Sequence, residues 1–424
     1  MKICAIVGIN WGDEGKGRMV DYLADQFDLV IRYQGGNNAG HTVINQYGKF
    51  ALNLLPSGIF RKDAVNLLGT GTVIDLKHLC GEIERVRAQG VEISEKNLKI
   101  SDRATIVFPF HPLQDELEEQ RLGSAKYGST KRGISPVYGD KYMKKAIQMG
   151  DLLRPKSLEK HLRMLIDWKN AVFSTAYGQA PIVYEDIMAW LEQYATPLLP
   201  MICDAGELLK EARAQDKSIL FEAQLGALRD IEYGIYPYSS SSSPLSAYAP
   251  LGSGLPSLKV EDVVGVVKAY STCVGEGPFV GELSGDEAHW LREAGGEYGA
   301  ATGRPRRVAW MDIVATRHGT ELQAATELAL TKIDVLSGLK QIPVCVRYEM
   351  NGQAIDNFPY TPDLDDCKPI YEMLPGWEED ITGIRDFARL PEAAQAYVLF
   401  LEKQIGCRIK YVSVGPGREQ LIIR

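Results

Sequence analysis

The chain has 424 residues, 45% hydrophobic and 24% charged, a globular composition that excludes disorder as its main state. Its 47 Lys and Arg against 55 Asp and Glu leave a net charge of −8, which argues against a general binder of nucleic-acid backbones but leaves room for a local basic site. Seven cysteines (Cys4, Cys80, Cys203, Cys273, Cys345, Cys367, Cys407) stand singly with no CxxC pair, so neither a zinc knuckle nor a disulfide framework is expected. At about 150 residues per domain the length predicts about three units. No run approaches the roughly 18–20 apolar residues that cross a bilayer, and the first residues lack a signal-peptide pattern. The expectation is a soluble cytoplasmic protein with no membrane or nucleic-acid partner.

In chain order, Ile3 to Ile9 is a short apolar run entering a glycine-rich turn, the form of a buried parallel strand feeding a ligand loop. Leu29 to Tyr33, ending in QGGNNAGHT, and Ala64 to Leu68, ending in GTGTVID, repeat that form. Three such units predict an α/β sheet with its working loops at the strand ends. Helix is expected for Leu113–Leu122, Lys141–Met149, Ser157–Val172 and Tyr184–Tyr194, and in the third of these Leu158, Leu162, Leu165, Ile166 and Trp168 form much of one apolar face. Lys217–Glu222 returns to a core strand. The run Ser239–Ser243, rich in proline and glycine as far as Pro256, fits a surface linker or a loop that orders over a ligand. Val263–Tyr270 fits helix or buried strand, Thr320–Leu330 reads as helix, Gln341–Met350 as strand, Ala393–Glu402 as amphipathic helix and Lys410–Val414 as a strand ending in GPGR.

The strongest short signal is GDEGKGR, Gly12 to Arg18, directly after the first strand. It is neither a Walker A loop nor GxGxxG, yet Gly12, Gly15 and Gly17 expose backbone N–H groups at a helix start and Lys16 counters negative charge. Asp13 beside bound phosphates suggests Mg²⁺ coordination or proton abstraction. NNAGHT places His41 in a polar loop at the end of the second strand, where it would face Asp13 across one pocket as acid to base. The segment GAATGRPRR gathers Arg304, Arg306 and Arg307, costly to hold together unless anions share the charge. In TKID, Lys332 and Asp334 can clamp a guanine, whose two N–H donors suit the aspartate.

Taken together, WGDEGKG, RYQGGNNAGHT, STKRGI, GDL, KAYSTCVGEGPF, EYGAATGRPRR, TKIDVLSGL and PIYEMLPGW occur in the order of the adenylosuccinate synthetase family, which the chain resembles over essentially its whole length. The resemblance implies an α/β fold with a mostly parallel central sheet, a P-loop-NTPase-like GTP site, a helical insertion subdomain and a C-terminal α+β subdomain. It divides the chain into a core with the phosphate and catalytic loops (1–100), a helical part (101–200), a return to the core with a nucleotide loop (201–265) and a C-terminal part (266–424). The implied substrates are IMP, L-aspartate and GTP with one Mg²⁺ per active site, the products adenylosuccinate, GDP and phosphate, and the working unit a homodimer with a shared site.

Carried over residue by residue, the resemblance makes Asp13 the base and a metal ligand, His41 the acid, Lys16 the lysine over the phosphates and Gly40 a carbonyl ligand of the metal. Glu14, Gly15, Gly17, Arg18, Thr42, Arg306, Lys332, Ile333, Asp334, Ser413, Val414 and Gly415 fall at GTP positions. Asn38, Ala39, Thr130, Lys144, Gln224 and Ser240 fall at IMP positions, and Ala300, Thr302 and Arg304 in the loop that closes on aspartate. Four departures cluster on the IMP side. Lys144 stands where the family's partner chain offers an arginine, FEAQLG shifts Gln224 by one position, a serine run with Pro244 replaces a threonine- and asparagine-bearing loop, and Cys273 stands where arginine is usual. They leave open a sister ligase acting on another 6-oxopurine nucleotide. Retention of both Asp13 and His41 argues against a third reading, a non-catalytic nucleotide-binding protein.

Overall fold

A computed structural model describes residues 1–45, 47–299 and 303–424. The first apolar run forms strand β1 (Ile3–Gly8), followed by β2 (Leu29–Arg32), β3 (Val65–Leu68), β4 (Leu98–Ser101), β5 (Ile202–Cys203), β6 (Ile219–Gly226), β7 (Asp262–Lys268), β8 (Glu327–Thr331), β9 (Ile409–Ser413) and β10 (Leu421–Ile423). These join into one sheet in the order β10-β9-β8-β7-β1-β6-β2-β3-β4-β5. Every neighbouring pair is parallel except β9 with β10. Strand side chains alternate between faces. On β1, Ile3, Ala5 and Val7 join a core with Phe221 and the helix Ala205–Ala214, while Cys4 and Ile6 join another with Val264 and the helix Lys16–Leu23. The sheet is thus covered on both faces, and its inner strands read as nearly continuous apolar runs.

Smaller elements surround it. His41–Asn45 and Gly48–Leu52 form an antiparallel hairpin, and Val73–Asp75 pairs in parallel with Thr105–Val107. Met311–Asp312, Gln341–Met350, Gln353–Ile355 and Lys368–Pro375 form a four-stranded sheet beside the helix Glu392–Ile405. The helices Phe110–Leu122, Pro155–Tyr177 and Tyr184–Ala195 lie between residues 101 and 200, and a single apolar cluster runs from Val43 through Ile74, Ile106 and Leu162 to Met201.

Three expectations need correction. Thr320–Leu330 is not one helix: the helix Ile313–Leu322 ends, Ala324 takes a left-handed turn (φ 48°), and β8 begins at Glu327. Burial between β7 and β9 overrides the helical composition there. Lys141–Met149 is not one helix: the helix Ile134–Tyr142 ends, Lys144 turns left-handed (φ 61°), Ile147 accepts the Ile106 N–H, and a 3-10 turn begins only at Met149. Trp168 lies on the outer face of its helix under Lys145 Nζ (4.5 Å), whereas Leu158, Leu162, Leu165 and Ile166 are buried as expected. The apolar run at 263–270, open between helix and strand, is strand β7, paired on both sides.

The serine run is tied down. Ser242 donates to Gln34 Oε1 (2.9 Å), Ser243 to Asp230, and the Pro244 carbonyl accepts the Tyr33 hydroxyl (2.7 Å). It is a packed loop over the sheet edge.

Gly319 shows how close the packing is: a Cβ there would sit 1.9 Å from the Ile9 backbone oxygen. Gly→Ala in a helix interior ordinarily stabilises by about 0.5–1 kcal/mol. Gly319→Ala should instead destabilise by about 1–3 kcal/mol through overpacking, lowering the melting midpoint. Gly139→Ala, in the helix Ile134–Tyr142 with nothing within 4 Å of the new carbon, should hold or raise it. Differential scanning calorimetry of the two variants checks the contrast, and equal midpoints would refute it.

Candidate functional site

Because the strands run parallel, the loops after β1, β2, β6, β7, β8 and β9 leave the same edge of the sheet. After β1 the chain turns through three left-handed residues, Gly12 (φ 108°), Asp13 (φ 61°) and Gly15 (φ 97°), and enters the helix Lys16–Leu23. The Glu14 carboxylate faces inward and holds this turn: it accepts the N–H groups of Asn10 (3.1 Å) and Gly12 (2.8 Å) and pairs with Lys16 Nζ (2.7 Å). Asp13 is left pointing outward, partly exposed, with Arg306 Nε 3.1 Å from its Oδ2 in a charge contact.

The second loop meets the first. A Cβ on Gly17 would lie 2.8 Å from His41 Cβ, so glycine is what lets the helix start approach the imidazole. His41 Nδ1 bonds Glu222 Oε1 on β6, and the same carboxylate accepts the N–H and hydroxyl of Ser57 (both 2.7 Å). Burial lowers the His41 pKa, against the pull of Glu222, and the charges of Arg32 and Lys16 lower it further. The Glu222 pKa is depressed although burial opposes this, because the bond and charge of His41 and the charge of Arg32 outweigh it. His41 Nε2 is buried with no partner. Gly40 and Thr42 are exposed on either side.

At the ends of β8 and β9, Lys332 (φ 59°) donates to the Gly295 carbonyl (2.5 Å) and to Glu297 Oε1 (2.8 Å). Asp334 Oδ1 is buried without a partner, and burial raises its pKa while the charges of Lys332 and Arg18 restrain the shift. Ile333 and Val414 are fully buried, so only their backbone can meet a ligand. Arg18 ties this corner to the first loop, donating to Ser413 and to the carbonyls of Gly415 (2.7 Å), Gly417 (2.6 Å) and Gln420 (2.9 Å).

Three further loops meet on the other side. Gly128 packs on the Glu276 backbone, Tyr127 faces Tyr238 edge-on, and Ser241 donates to Ser135 Oγ (2.9 Å). Thr130 is exposed there, and Ser240 Oγ is buried without a partner. Gln224 is fully buried, giving its amide N–H to the carbonyls of Gly36 (2.7 Å) and Ala39 (3.1 Å) and accepting the Gly36 N–H (3.1 Å); it holds up the Asn38–Ala39 turn. Leu225, next to it, is left-handed (φ 64°). Lys144 is exposed on the helical part. Arg304 lies just beyond the described break, and Ala300 and Thr302 fall outside the described residues.

Sequence reasoning missed Glu222, Ser57, Glu297 and Arg229. The signal for Glu222 is a carboxylate inside the apolar run ILFEA of a buried strand, a position charged residues occupy only when paired. For Arg229 it is an arginine among apolar neighbours: its guanidinium donates to Cys273 Sγ (2.9 Å) and to the carbonyls of Tyr238 and Val274, so a guanidinium meets the residue-273 position from another strand end.

Among the described residues no cluster of three or more His, Cys, Asp or Glu suited to a metal occurs, and no helix is long and apolar enough to cross a membrane. The strand-end loops offer hard oxygen donors, the Asp13 carboxylate and the carbonyl of the exposed Gly40, of the type with which Mg²⁺ is held together with phosphates.

The adenylosuccinate synthetase family model matches residues 5–422. The chain is 50% identical over 426 residues to Adenylosuccinate synthetase 2 of Pseudoalteromonas translucida, covering 100% of both, and 45% identical over 424 residues to the adenylosuccinate synthetase of Caldanaerobacter subterraneus, covering 100% of this chain and 99% of that one. Its fold superposes on a fully ligated adenylosuccinate synthetase from Plasmodium falciparum with a TM-score of 0.93 at 35% identity over 100% of each chain. A strand-end site of this construction and full-length similarity agree: the chain belongs to the adenylosuccinate synthetase family, GTP-dependent ligases of purine biosynthesis.

Proposed function

We propose that the chain joins L-aspartate to IMP at the expense of GTP, giving adenylosuccinate, GDP and phosphate through a 6-phosphoryl-IMP intermediate. One observation supports the residue assignment: the unpartnered buried polar atoms of the described residues include His41 Nε2, Ser240 Oγ and Asp334 Oδ1, one each at the proposed catalytic, IMP and guanine positions. Buried polar groups are normally satisfied, and an unmet one costs about 1–3 kcal/mol. Ligand groups would satisfy all three.

In this reading Asp13 takes the N1 proton of the purine, and the O6 so activated attacks the γ-phosphorus as the bond to the β,γ-bridging oxygen breaks and GDP leaves. Asp13 and the Gly40 carbonyl would hold Mg²⁺, which supplies charge neutralisation to the phosphate oxygens when bound. The N–H groups of Gly15, Lys16 and Gly17 at the helix start bind phosphate. Glu222 keeps a proton on His41 Nδ1. Negative charge arriving at Nε2 offsets the burial that lowers this pKa, so the imidazole can carry a second proton where charge develops. The aspartate amine, with its carboxylate held by Arg304, then attacks C6 and expels phosphate as the C6–O6 bond breaks. Lys332 and Asp334 read the guanine.

The working unit in this reading is a cytoplasmic homodimer. Tyr142 and Met143 next to Lys144 in the chain, and Leu153 and Met164 of the same helical part, are all at least 50% exposed, apolar surface of the kind a partner covers. A second copy covering this face would bring Lys144 to the other chain's IMP phosphate.

Asp13→Asn, which keeps a residue tolerant of the left-handed conformation, should lower turnover by about 10²-fold or more. His41→Asn, which still offers Glu222 a donor, should do the same. Single-turnover phosphate release with GTP, IMP and aspartate checks both, and wild-type rates would sink the mechanism. Chelation with EDTA should stop the wild-type reaction and Mg²⁺ restore it. Asp334→Asn should cut the preference for GTP over ATP by about tenfold or more, the value of hydrogen bonds to a charged group; an unchanged ratio of kcat/KM values would show that Asp334 does not read the base. Lys144→Ala should raise KM for IMP far more than KM for GTP, and mixing it with Asp13→Asn should regain activity in hybrid dimers. No recovery despite proven subunit exchange would reject the shared site.

A further inference from the structure

Buried charge concentrates around Glu297, which has no role in the reading above. This residue is fully buried and follows the helix Gly285–Gly295, with Gly296 (φ 59°) making the turn. Its Oε1 accepts Lys268 Nζ (2.9 Å), Lys332 Nζ (2.8 Å) and the Tyr270 hydroxyl, while Oε2 accepts Arg306 Nη1 (2.6 Å). The Glu297 carbonyl also accepts the Arg306 N–H (2.9 Å). Burial would raise the Glu297 pKa, but the charges of Lys268, Lys332 and Arg306 reverse this and hold it well below the usual carboxylate range. Burial also pushes Lys268 down to about 8, against the pull of Glu297.

The geometry has a consequence beyond stability. Lys332 reaches Glu297 from the guanine corner, and Arg306 reaches it from the Gly303–Arg307 segment. Arg306 spans two carboxylates, with Nη1 on Glu297 and Nε 3.1 Å from Asp13 Oδ2. One buried carboxylate is therefore the common partner of a guanine-side cation and of the cation that rests on Asp13. We infer that Glu297 is a positioning residue that couples guanine-nucleotide binding to the arginine segment and to the release of Asp13. The inference rests on the reading above that Lys332 and Asp334 bind guanine and that Asp13 is the base. When Asp13 takes up its ligands, Arg306 loses one of its two anions and draws on Glu297 alone, which changes how tightly that carboxylate holds Lys332. Equilibrium coupling of this kind is reciprocal, so a ligand at either site alters affinity at the other.

The test uses GDP, which cannot turn over. Its dissociation constant is measured by calorimetry with Mg²⁺ and IMP present, with and without L-aspartate, in the wild-type protein and in Glu297→Gln. The wild type should bind GDP at least about fivefold more tightly with aspartate, the lower end of ordinary coupling, and the variant should bring that ratio to about one. A stably folded variant that keeps the wild-type ratio, or a wild type with a ratio of one, overturns the inference. Should Glu297→Gln fail to fold, Lys268→Met combined with it removes one cation along with the anion. Tyr270→Phe is the milder fallback: it removes only one donor to Oε1 and should reduce the ratio in part, and an unchanged ratio there overturns the inference equally. The two levels of the reading separate cleanly: if the wild type does not bind GDP, or Asp334→Asn binds it as well as the wild type, the guanine assignment itself fails.

Discussion

Everything in this site follows from one constraint, the parallel alignment of the strands from β5 through β9 across the sheet. Parallel strands need crossovers, so each returning segment delivers its next loop to the same edge. The loops bearing Asp13, His41, Lys332 and Ser413 lie 28 to 400 residues apart in sequence, yet they leave the same edge of one sheet. The single antiparallel strand, β10, lies at an edge, where reversal disturbs no working loop. Covering both faces with helices keeps those ends rigid, which is what positions groups for chemistry better than free loops would.

Buried carboxylates turn that scaffold into a site. Glu14 holds the first turn, Glu222 orients His41 and Glu297 gathers Lys268, Lys332 and Arg306. Each is removed from water and each is matched by cations or backbone donors, without which burial of charge would be prohibitive. Breaking such a pair from one side leaves an uncompensated charge at about 3–5 kcal/mol. In the proposed reaction the anions would act indirectly, by keeping the groups that meet ligands in one orientation.

Much of this is legible in the residues. Glycine spacing, the apolar runs before it and the charged residues inside the turns point to the strand-end loops, since glycine favours the left-handed turns at Gly12 and Gly15 and its missing Cβ lets Gly17 approach His41. What is not legible is what tertiary burial decides. The alternation at 327–331 is short and reads as a helical continuation until β7 and β9 flank it. The partners of His41 and Lys332 come from 181 and 35 residues away, and no local spacing encodes them. Gln224 shows the same limit from the other side: no local pattern encodes that its amide is used on Gly36 and Ala39, 188 and 185 residues away.

The departures on the IMP side are better understood as compensated than as lost. Cys273 brings no charge, but Arg229 places a guanidinium on its sulfur and fastens Tyr238, two residues before Ser240, to Val274. The serine run lacks larger side chains, but Gln34, Asp230 and Tyr33 anchor it from Ser242 to Pro244. Ser240 alone in that run keeps a buried hydroxyl without a partner while its N–H is held by the Arg229 carbonyl. A loop that loses a ligand site would be expected to satisfy all its polar groups internally, since an unmet one costs about 1–3 kcal/mol with no return. This one satisfies its neighbours and leaves that hydroxyl open, which is the arrangement the proposed nucleotide contact would require.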